Sequence, residues 1–363
     1  MRLAFVLNNL SGGGAEHVAV MVANQLQQMG HELALILGRC EGPYVKDIAP
    51  AVRVETLGRR MALALPALAG VLRRERFDAV FTILDQPSIG CLLLKPGLRR
   101  TRVIVVECNN PLASDAAARG AIWRLIRSLR PWLYPHADHI ITKSEGIRAA
   151  LLEHFNARPD RVTAISNPVD LARIEALAGE PPQHPWADDR SSPLFVAMGR
   201  LSPQKDFATL LDAFHRLRQT RAARLLILGE GSERARLEAQ LAALGLADSV
   251  AMPGFVANPY AILARADGFV MSSRWEGWPN ALVESLACGV GAVSTDCESG
   301  PREILDGGRL GRLVPVGDAA ALAQGMNELL DRPPDPRELR RHIEGFTPAA
   351  IADRYLDAIG DVT

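Results

Sequence analysis

The sequence predicts an α/β protein with two doubly wound domains, and three observations indicate this. The chain has 363 residues, and single cores tend to divide above about 250 residues. Short apolar runs alternate with longer amphipathic segments, a pattern typical of βαβ units with parallel sheets. A stretch rich in Pro, Asp and Ser, residues 179–193, has no periodicity and indicates an interdomain linker. We therefore expect two sheets whose carboxyl edges face each other across a ligand cleft.

The first domain is predicted to span residues 1–168. Its first helix, Ala15–Met29, has Val18, Val22 and Leu26 at helical spacing. Five apolar runs predict its buried strands, which are Leu3–Leu7, Leu33–Leu37, Ala79–Leu84, Val103–Val106 and His139–Thr142.

The linker is assigned to residues 169–193, and the same α/β pattern begins again in a second domain, residues 194–345. Residues 346–363 end the chain with a helical pattern. The second domain's predicted strands and helices, in order, are Leu194–Met198, Phe207–Gln219, Arg224–Leu228, Ser232–Leu244, Gly268–Ser272, Asn280–Cys288 and Val290–Ser294.

Composition excludes several classes of protein. Forty-one basic and 41 acidic residues give zero formal net charge, which does not favour nucleic-acid binding. No window approaches the ~18 apolar residues of a membrane span, and the run Met1–Leu7 is too short for a signal peptide. The five cysteines form no C-x-x-C pair, so we expect reduced thiols in the cytoplasm. No D-x-D occurs, and we expect no metal site.

A glycine turn follows the first predicted strand and opens a helix. Gly13 and Gly14 allow a ligand to approach the backbone closely, and the helix N-terminus can bind an anion. The spacing is neither G-x-G-x-x-G nor a P-loop. A purely structural turn is the alternative.

The second candidate site is the loop after the first strand of the second domain. Arg200 and Lys205 place two cations there, and both residue types bind phosphate. Two solvated surface cations are the alternative.

The third candidate is the segment 274–284. Glu276 lies in a loop after a buried strand, and Pro279 is predicted at the first helical position. The start of this helix can bind a diphosphate, while Glu284 in its second turn can hold a ribose diol. The other residues of this segment that we expect to contact such a nucleotide ligand are Gly277, Trp278, Pro279, Asn280, Ala281 and Leu282.

Together these motifs resemble the family-4 retaining glycosyltransferases of the GT-B fold, in which two Rossmann-like domains face each other. The resemblance covers nearly the whole chain. Within the family, the Gly300–Leu305 stretch (GPREIL) looks like that of bacterial surface-glycan enzymes. The motifs that carry it are the Glu276-x7-Glu284 spacing, the loop 199–207, the turn 13–16, Ser166-Asn167-Pro168, Gly229-Glu230-Gly231 and the GPREIL stretch.

The resemblance implies roles for the matching residues. Arg200 and Lys205 would neutralise the donor's phosphates, Glu276 would hold the donor sugar and Glu284 the ribose. Gly13 and Gly14 would approach the phosphates from the first domain, and the C-terminal helix would pack back toward that domain. The backbone expected to face the base is Gly254, Phe255 and Val256.

The acceptor side departs from the family pattern. Family members often carry a histidine or an acidic residue after the fourth strand, where this chain has Glu107-Cys108-Asn109-Asn110-Pro111. Asn109 and Asn110 could orient a sugar but cannot act as bases. The acceptor-side catalytic group therefore stays open.

The segment Arg119–Tyr134 is a basic amphipathic helix with Trp123 and Trp132. It could contact an anionic membrane or a lipid-linked diphosphate through residues such as Arg124 and Arg127. An ordinary domain helix, with its apolar stripe in the core and its arginines solvated, is the alternative.

The implied function is retaining, metal-independent transfer of a hexose or N-acetylhexosamine from a UDP-sugar to a glycan or polyprenyl-diphosphate-linked glycan. No cofactor is expected besides the nucleotide sugar. The expected location is cytoplasmic, with peripheral contact at the inner face of the membrane left open. A sugar-nucleotide 2-epimerase on the same fold and a catalytically silent sugar-nucleotide-binding subunit are the alternatives.

Overall fold

The computed structural model describes residues 1–11, 13–98, 100–112 and 120–360. The chain forms two compact units, Met1–Pro168 with Phe346–Thr363, and Val169–Gly345. Each unit contains one parallel sheet with helices packed on it. This confirms the predicted α/β class with two Rossmann-like sheets.

The first unit has seven parallel strands in the order β3-β2-β1-β4-β5-β6-β7. The sheet's two faces are covered by two apolar clusters. Its strands are β1 (Arg2–Leu7), β2 (Glu32–Leu37), β3 (Arg53–Thr56), β4 (Ala79–Ile83), β5 (Arg102–Glu107), β6 (His139–Thr142) and β7 (Val162–Ala164). Its helices are α1 (Gly14–Gln28), α2 (Leu65–Glu75), α3 (Asp85–Leu94), α4 (Ala121–Leu133), α5 (Glu145–His154) and the C-terminal helix (Pro348–Asp357).

The C-terminal helix packs on the sheet of the first unit. Its Tyr355 is 1% exposed and lies 5.3 Å from Phe81 and 6.4 Å from Phe5 between ring centroids. The Tyr355 hydroxyl also accepts a hydrogen bond from Lys143 Nζ at 2.5 Å. Aromatic burial of this size is a large contribution to packing, so this helix is part of the first unit's core.

The second unit has six parallel strands in the order β10-β9-β8-β11-β12-β13. Its strands are β8 (Leu194–Met198), β9 (Arg224–Leu228), β10 (Val250–Gly254), β11 (Gly268–Met271), β12 (Ala292–Thr295) and β13 (Gly311–Val314). Its helices are α6 (Leu171–Ala178), α7 (Phe207–Arg218), α8 (Arg234–Ala243), α9 (Tyr260–Leu263), α10 (Asn280–Ala287), α11 (Pro301–Ile304), α12 (Ala319–Asp331) and α13 (Pro336–Ile343).

The segment 169–193 is more ordered than its composition indicates. It contains α6, which Asp170 caps by accepting from Arg173 N, and Ile174 of this helix is buried. Asn258 of the second unit donates to Leu177 O at 2.9 Å. The segment therefore belongs structurally to the second unit, and only its Pro-rich part after α6 resembles a linker.

Each sheet has one point where the strand order reverses. In the first unit it lies between β1 and β4, and in the second between β8 and β11. Ligands of open α/β sheets bind outside the carboxyl ends of strands at such a point. The loops after β8 and β11 therefore mark the expected site of the second unit. Within the described part of the chain, no helix is long and apolar enough to cross a membrane.

Candidate active site

Two loops of the second unit meet at its reversal point. One follows β8 and contains Lys205, and the other follows β11. Arg274 N donates to Gln204 O at 2.8 Å, and Gln204 Nε2 donates to Trp275 O at 2.9 Å. Ser272 Oγ donates to Lys205 O at 2.8 Å. These bonds fix the two loops against each other.

The loops bring Lys205 and Glu276 together, although 71 positions separate them in sequence. Lys205 Nζ lies 2.6 Å from Glu276 Oε1, and the side chains are 18% and 7% exposed. The lysine stem passes over Gly199, where an added Cβ would lie 3.1 Å from Lys205 Cε. The pair is a short, largely buried, charge-assisted hydrogen bond.

Arg200 lies on the same loop with its side chain exposed. Among the described residues it makes no ion pair. Its loop packs closely against residues 230 and 231. Leu201 N donates to Glu230 O at 2.9 Å, and an added Cβ on Gly231 would lie 2.2 Å from Leu201 O. A firmly held loop thus presents an exposed guanidinium.

Helix α10 begins at Asn280, as the predicted range Asn280–Cys288 has it, but Pro279 is not the first helical residue that its position had indicated. Pro279 has ψ 94°, so it caps the helix and Asn280 is the first helical residue. The loop is backed by Gly300, where an added Cβ would lie 2.6 Å from Pro279 Cδ. Leu282 is 0% exposed and its N–H donates to Pro279 O, so its side chain supports the helix, and the donor contact predicted there stays a prediction.

The other residues predicted around this helix start differ in exposure. Gly277, Trp278 and Pro279 are buried, whereas Asn280 and Ala281 are half-buried. A helix start favours anions. Asn280 and Ala281 are therefore the residues of the predicted diphosphate contact that a ligand can reach.

Glu284 is half-buried in α10, with two neighbours that the sequence did not single out. Tyr260 of α9 hydrogen-bonds its carboxylate, and the charge of Arg173 from α6 acts on it. Burial raises the pKa of Glu284 to about 7, while Tyr260 and Arg173 oppose that rise. The helices that carry these residues pack on one another.

The raised pKa predicts a pH-dependent stability. The pKa of Glu284 rises from 4.5 to about 7, so the folded protein binds more protons than the unfolded chain between these values. This contribution to stability is complete below the pKa that Glu284 has in the unfolded chain, and it is lost as the pH rises through the pKa that Glu284 has in the folded protein. In the wild type, the unfolding free energy should therefore fall by up to about 3 kcal/mol as the pH rises from 4.5 to about 7. We expect Glu284→Gln to abolish this fall.

Urea denaturation without donor, at about pH 5 and about pH 7.5, measures this effect. Glu175→Gln, at an exposed position of α6, is the matched control and should keep the wild-type difference. An unchanged difference in Glu284→Gln would show that this carboxyl is not its source.

The three residues predicted to face the base lie at the end of β10. Gly254 has φ +90°, and an added Cβ would lie 2.8 Å from Glu230 Oε1. Phe255 is 82% exposed and Val256 is half-buried. An exposed phenylalanine next to a glycine offers a flat surface on which a base could stack.

In the first unit, the glycine turn caps α1. Gly13 is the N-cap, and Gly14 is the first helical residue. The Glu16 carboxylate folds back over the turn, with its Oε2 2.1 Å from where a Cβ on Gly13 would lie. Only glycine fits there while Glu16 keeps this position. A phosphate approaching this helix start would meet a carboxylate first.

A buried polar network lies at the carboxyl edge of the first sheet. Tyr134 Oη donates to Glu107 Oε2 at 2.7 Å, and Arg130, 1% exposed, pairs with Asp85. Burial and the Asp85 charge raise the pKa of Glu107, and Arg130 and Tyr134 oppose this. The Asn109 backbone N–H also hydrogen-bonds Glu107. Glu107 is 5% exposed and these bonds hold it in place, so its predicted acceptor-side contact stays a prediction.

The two asparagines of this loop have different environments. Asn110 is 2% exposed, and its Oδ1 accepts from Leu112 N at 3.0 Å. This is a local turn bond. Asn109 is exposed, and of the two it is the one whose side chain could reach an acceptor.

Helix α4 differs from the arrangement predicted for the basic amphipathic segment. Arg130 lies in the interior, paired with Asp85, whereas Leu125 is 56% and Trp132 77% exposed. Arg124 and Arg127 are exposed, as expected. The exposed face therefore combines apolar and basic groups. Arg119 and the side chains of Ile122 and Trp123 lie outside the described residues.

Two family models match successive parts of the chain. Residues 183–345 match "Glycosyl transferases group 1", and residues 12–173 match "Glycosyltransferase Family 4". The region 183–345 contains the Lys205–Glu276 pair, and the region 12–173 contains the glycine turn and the Glu107 network.

Relatives of known function act on bacterial glycans. The N-acetylgalactosamine-N,N'-diacetylbacillosaminyl-diphospho-undecaprenol 4-alpha-N-acetylgalactosaminyltransferase of Campylobacter jejuni is 28% identical, covering 91% of this chain and 90% of its own. The lipopolysaccharide core biosynthesis glycosyltransferase LpsE of Rhizobium meliloti is 29% identical over 96% of both chains. Anabaena HepE, solved with UDP and glucose, shares the fold with a TM-score of 0.80 and 18% identity over 99% of both chains.

Proposed function

Because the chain belongs to the family-4-like glycosyltransferases of the GT-B fold, we propose that it moves a hexose or N-acetylhexosamine from a UDP-sugar to a glycan. The acceptor we propose is a bacterial surface glycan, either free or linked to a polyprenyl diphosphate. The undecaprenol-linked substrate named for the Campylobacter relative supports this class. UDP is supported by its presence in the HepE structure.

The observation that carries the proposal is the Lys205–Glu276 pair beside Arg200, at the carboxyl ends of β8 and β11. Departure of UDP develops negative charge on the β-phosphate. Arg200 and Lys205 would already be in place when that charge develops, and such preorganised electrostatic stabilisation is usually the largest single contribution to catalysis. With no D-x-D in the sequence, we assign the neutralisation to these two cations.

Glu276 and Glu284 would hold opposite ends of the donor. The Glu276 carboxylate accepts from Lys205 through one oxygen, and its remaining lone pairs can accept from sugar hydroxyls. Glu284 lies in the second turn of α10 and can accept from a ribose diol beside Tyr260. A donor spanning the two has its diphosphate near the start of α10, where the helix dipole favours negative charge.

We propose that the transfer retains the anomeric configuration. The Campylobacter relative is named as an alpha-transferase, and an alpha product is what retention gives from an alpha-linked donor. Glu107 is buried and held by Tyr134, so we assign it no role as a nucleophile or base. Attack by the acceptor hydroxyl on the face that UDP leaves, through an oxocarbenium-like state, needs neither, because the hydroxyl proton can pass to the departing β-phosphate oxygen as the bond to UDP breaks.

Release of nucleoside diphosphate from UDP-, GDP- and ADP-sugars, with and without glycan acceptors, tests the proposal. We expect acceptor-stimulated release from one UDP-sugar, which Glu276→Ala abolishes. An epimerised sugar nucleotide without transfer would indicate a 2-epimerase instead. Binding of the donor without any product would indicate a silent subunit.

We also propose peripheral contact between α4 and anionic membrane. Leu125 and Trp132 are exposed on this helix beside Arg124 and Arg127, a combination that suits an anionic interface. Vesicle flotation should recover more wild-type protein with anionic than with neutral lipid, and Trp132→Ala with Arg127→Gln should reduce that recovery. Equal recovery on both lipids would remove the membrane proposal.

A further inference from the structure

Two residues beside the Lys205–Glu276 pair form a salt bridge with each other and have no role in the proposed function. Asp206 follows Lys205 directly, and Arg274 precedes Glu276 by two positions. Arg274 Nε donates to Asp206 Oδ2 at 3.0 Å. The carboxylate side chain is 5% exposed, and the arginine side chain is 56% exposed.

Asp206 has an unusual backbone for its position. It precedes α7 with φ +46° and ψ +46°, and its side chain makes no capping hydrogen bond to the helix. Aspartate at a helix N-terminus ordinarily does so. Here the carboxylate accepts instead from Thr209 Oγ1 at 2.9 Å and from Arg274. The carboxylate thus joins the first turn of α7, through Thr209, to the neighbouring loop, through Arg274.

Arg274 contacts the residues on both sides of Lys205. Its backbone N–H donates to Gln204 O at 2.8 Å, and its side chain donates to Asp206. Lys205 O itself accepts from Ser272 Oγ. Lys205 is therefore fixed at its own backbone and at both neighbours, all from the strand–loop segment that also carries Glu276.

We infer that Asp206 and Arg274 are positioning residues for Lys205, and that their pairing sets where the lysine amine meets the donor diphosphate. This inference rests on the proposed function. Lysine has a flexible four-carbon stem, so its amine is held in one place only while its backbone is fixed relative to Glu276, which it contacts at 2.6 Å. A displacement of about 1 Å in a reacting group can cost about 100-fold in rate.

The alternative, a pair that only stabilises the fold, predicts a different pattern. A partly exposed ion pair contributes little to stability, and its loss should slow turnover by the same factor whether or not Lys205 is present. A positioning pair should matter only while Lys205 is present. Asp206 has the same sign of charge as a diphosphate, which argues against its direct contact with the donor.

The test is a double-mutant cycle. Arg274→Gln and Asp206→Asn are each made in the wild type and in Lys205→Ala, and kcat, the donor KM and thermal stability are measured. In the wild type we expect each change to lower kcat about 10-fold, within the range of coupling between contacting residues. In Lys205→Ala we expect no further fall. Arg274→Lys, which keeps a charged partner for Asp206, should recover most of the lost turnover.

Arg221→Gln is the matched control, because Arg221 pairs with Asp331 at 2.6 Å elsewhere in the same unit; it should leave kcat unchanged. Equal falls in both backgrounds, or wild-type kcat in folded Arg274→Gln and Asp206→Asn, would overturn the inference. Wild-type protein that neither binds UDP in calorimetry nor releases it from any sugar would instead overturn the proposed function.

Discussion

Arg200→Ala should lower turnover at least ~100-fold, the scale for removing one donor that stabilises charge in the transition state. The same change should leave the unfolding free energy within about 0.5 kcal/mol of wild type. Both expectations follow from the environment of Arg200. Its side chain is exposed, and within the described ranges it pairs with no carboxylate, so its removal breaks no interaction that stabilises the folded state.

Steady-state release of UDP, with kcat and the donor KM determined separately, measures the first expectation, and thermal denaturation measures the second. Arg218→Ala is a suitable control because Arg218 is an exposed arginine on α7 of the same unit. It should match wild type in both assays. Turnover of Arg200→Ala within a few-fold of wild type would remove Arg200 from the proposed site.

The parts of the structure that follow a local pattern were predictable from sequence. Apolar runs fixed where the buried strands lie, and β6, β8 and β9 begin and end at the predicted residues. Strands β3, β7, β10 and β13 were not predicted, because β3 lacks a buried residue and the other three interrupt their buried residues with half-buried or exposed ones. The charged loops after β8 and β11 were found because a polar loop between a buried strand and a helix is a strong local signal.

The partners of the site residues were not predictable, because they come from distant parts of the chain. Nothing local connects Tyr134 with Glu107, or Tyr260 with Glu284. Arg130 has the spacing of a solvated arginine, yet its salt bridge with Asp85 lets it occupy the interior. A helical pattern shows which residues share a face, whereas burial of a charge depends on a partner that only the fold supplies.

The largest combined effect is expected at Lys205, where activity and stability should both change. Glu276 is 7% exposed, and its carboxylate is paired with Lys205 Nζ at 2.6 Å. Lys205→Ala would leave this buried charge without its cation, which should cost about 2–3 kcal/mol in unfolding free energy. It should also lower kcat at least ~100-fold, as expected for a lost charge-stabilising donor.

A second substitution separates the two effects. In Lys205→Ala/Glu276→Gln the unpaired charge is replaced by a neutral amide of the same shape, so most of the lost stability should return while turnover stays at the level of the single variant or below. Chemical denaturation and UDP release on the same preparations measure both quantities. Recovery of turnover together with stability would mean that Lys205 acts only through the fold. If stability fails to return, the unpaired carboxylate is not the cause of its loss, and the pair holds the loops through its geometry instead of its charge.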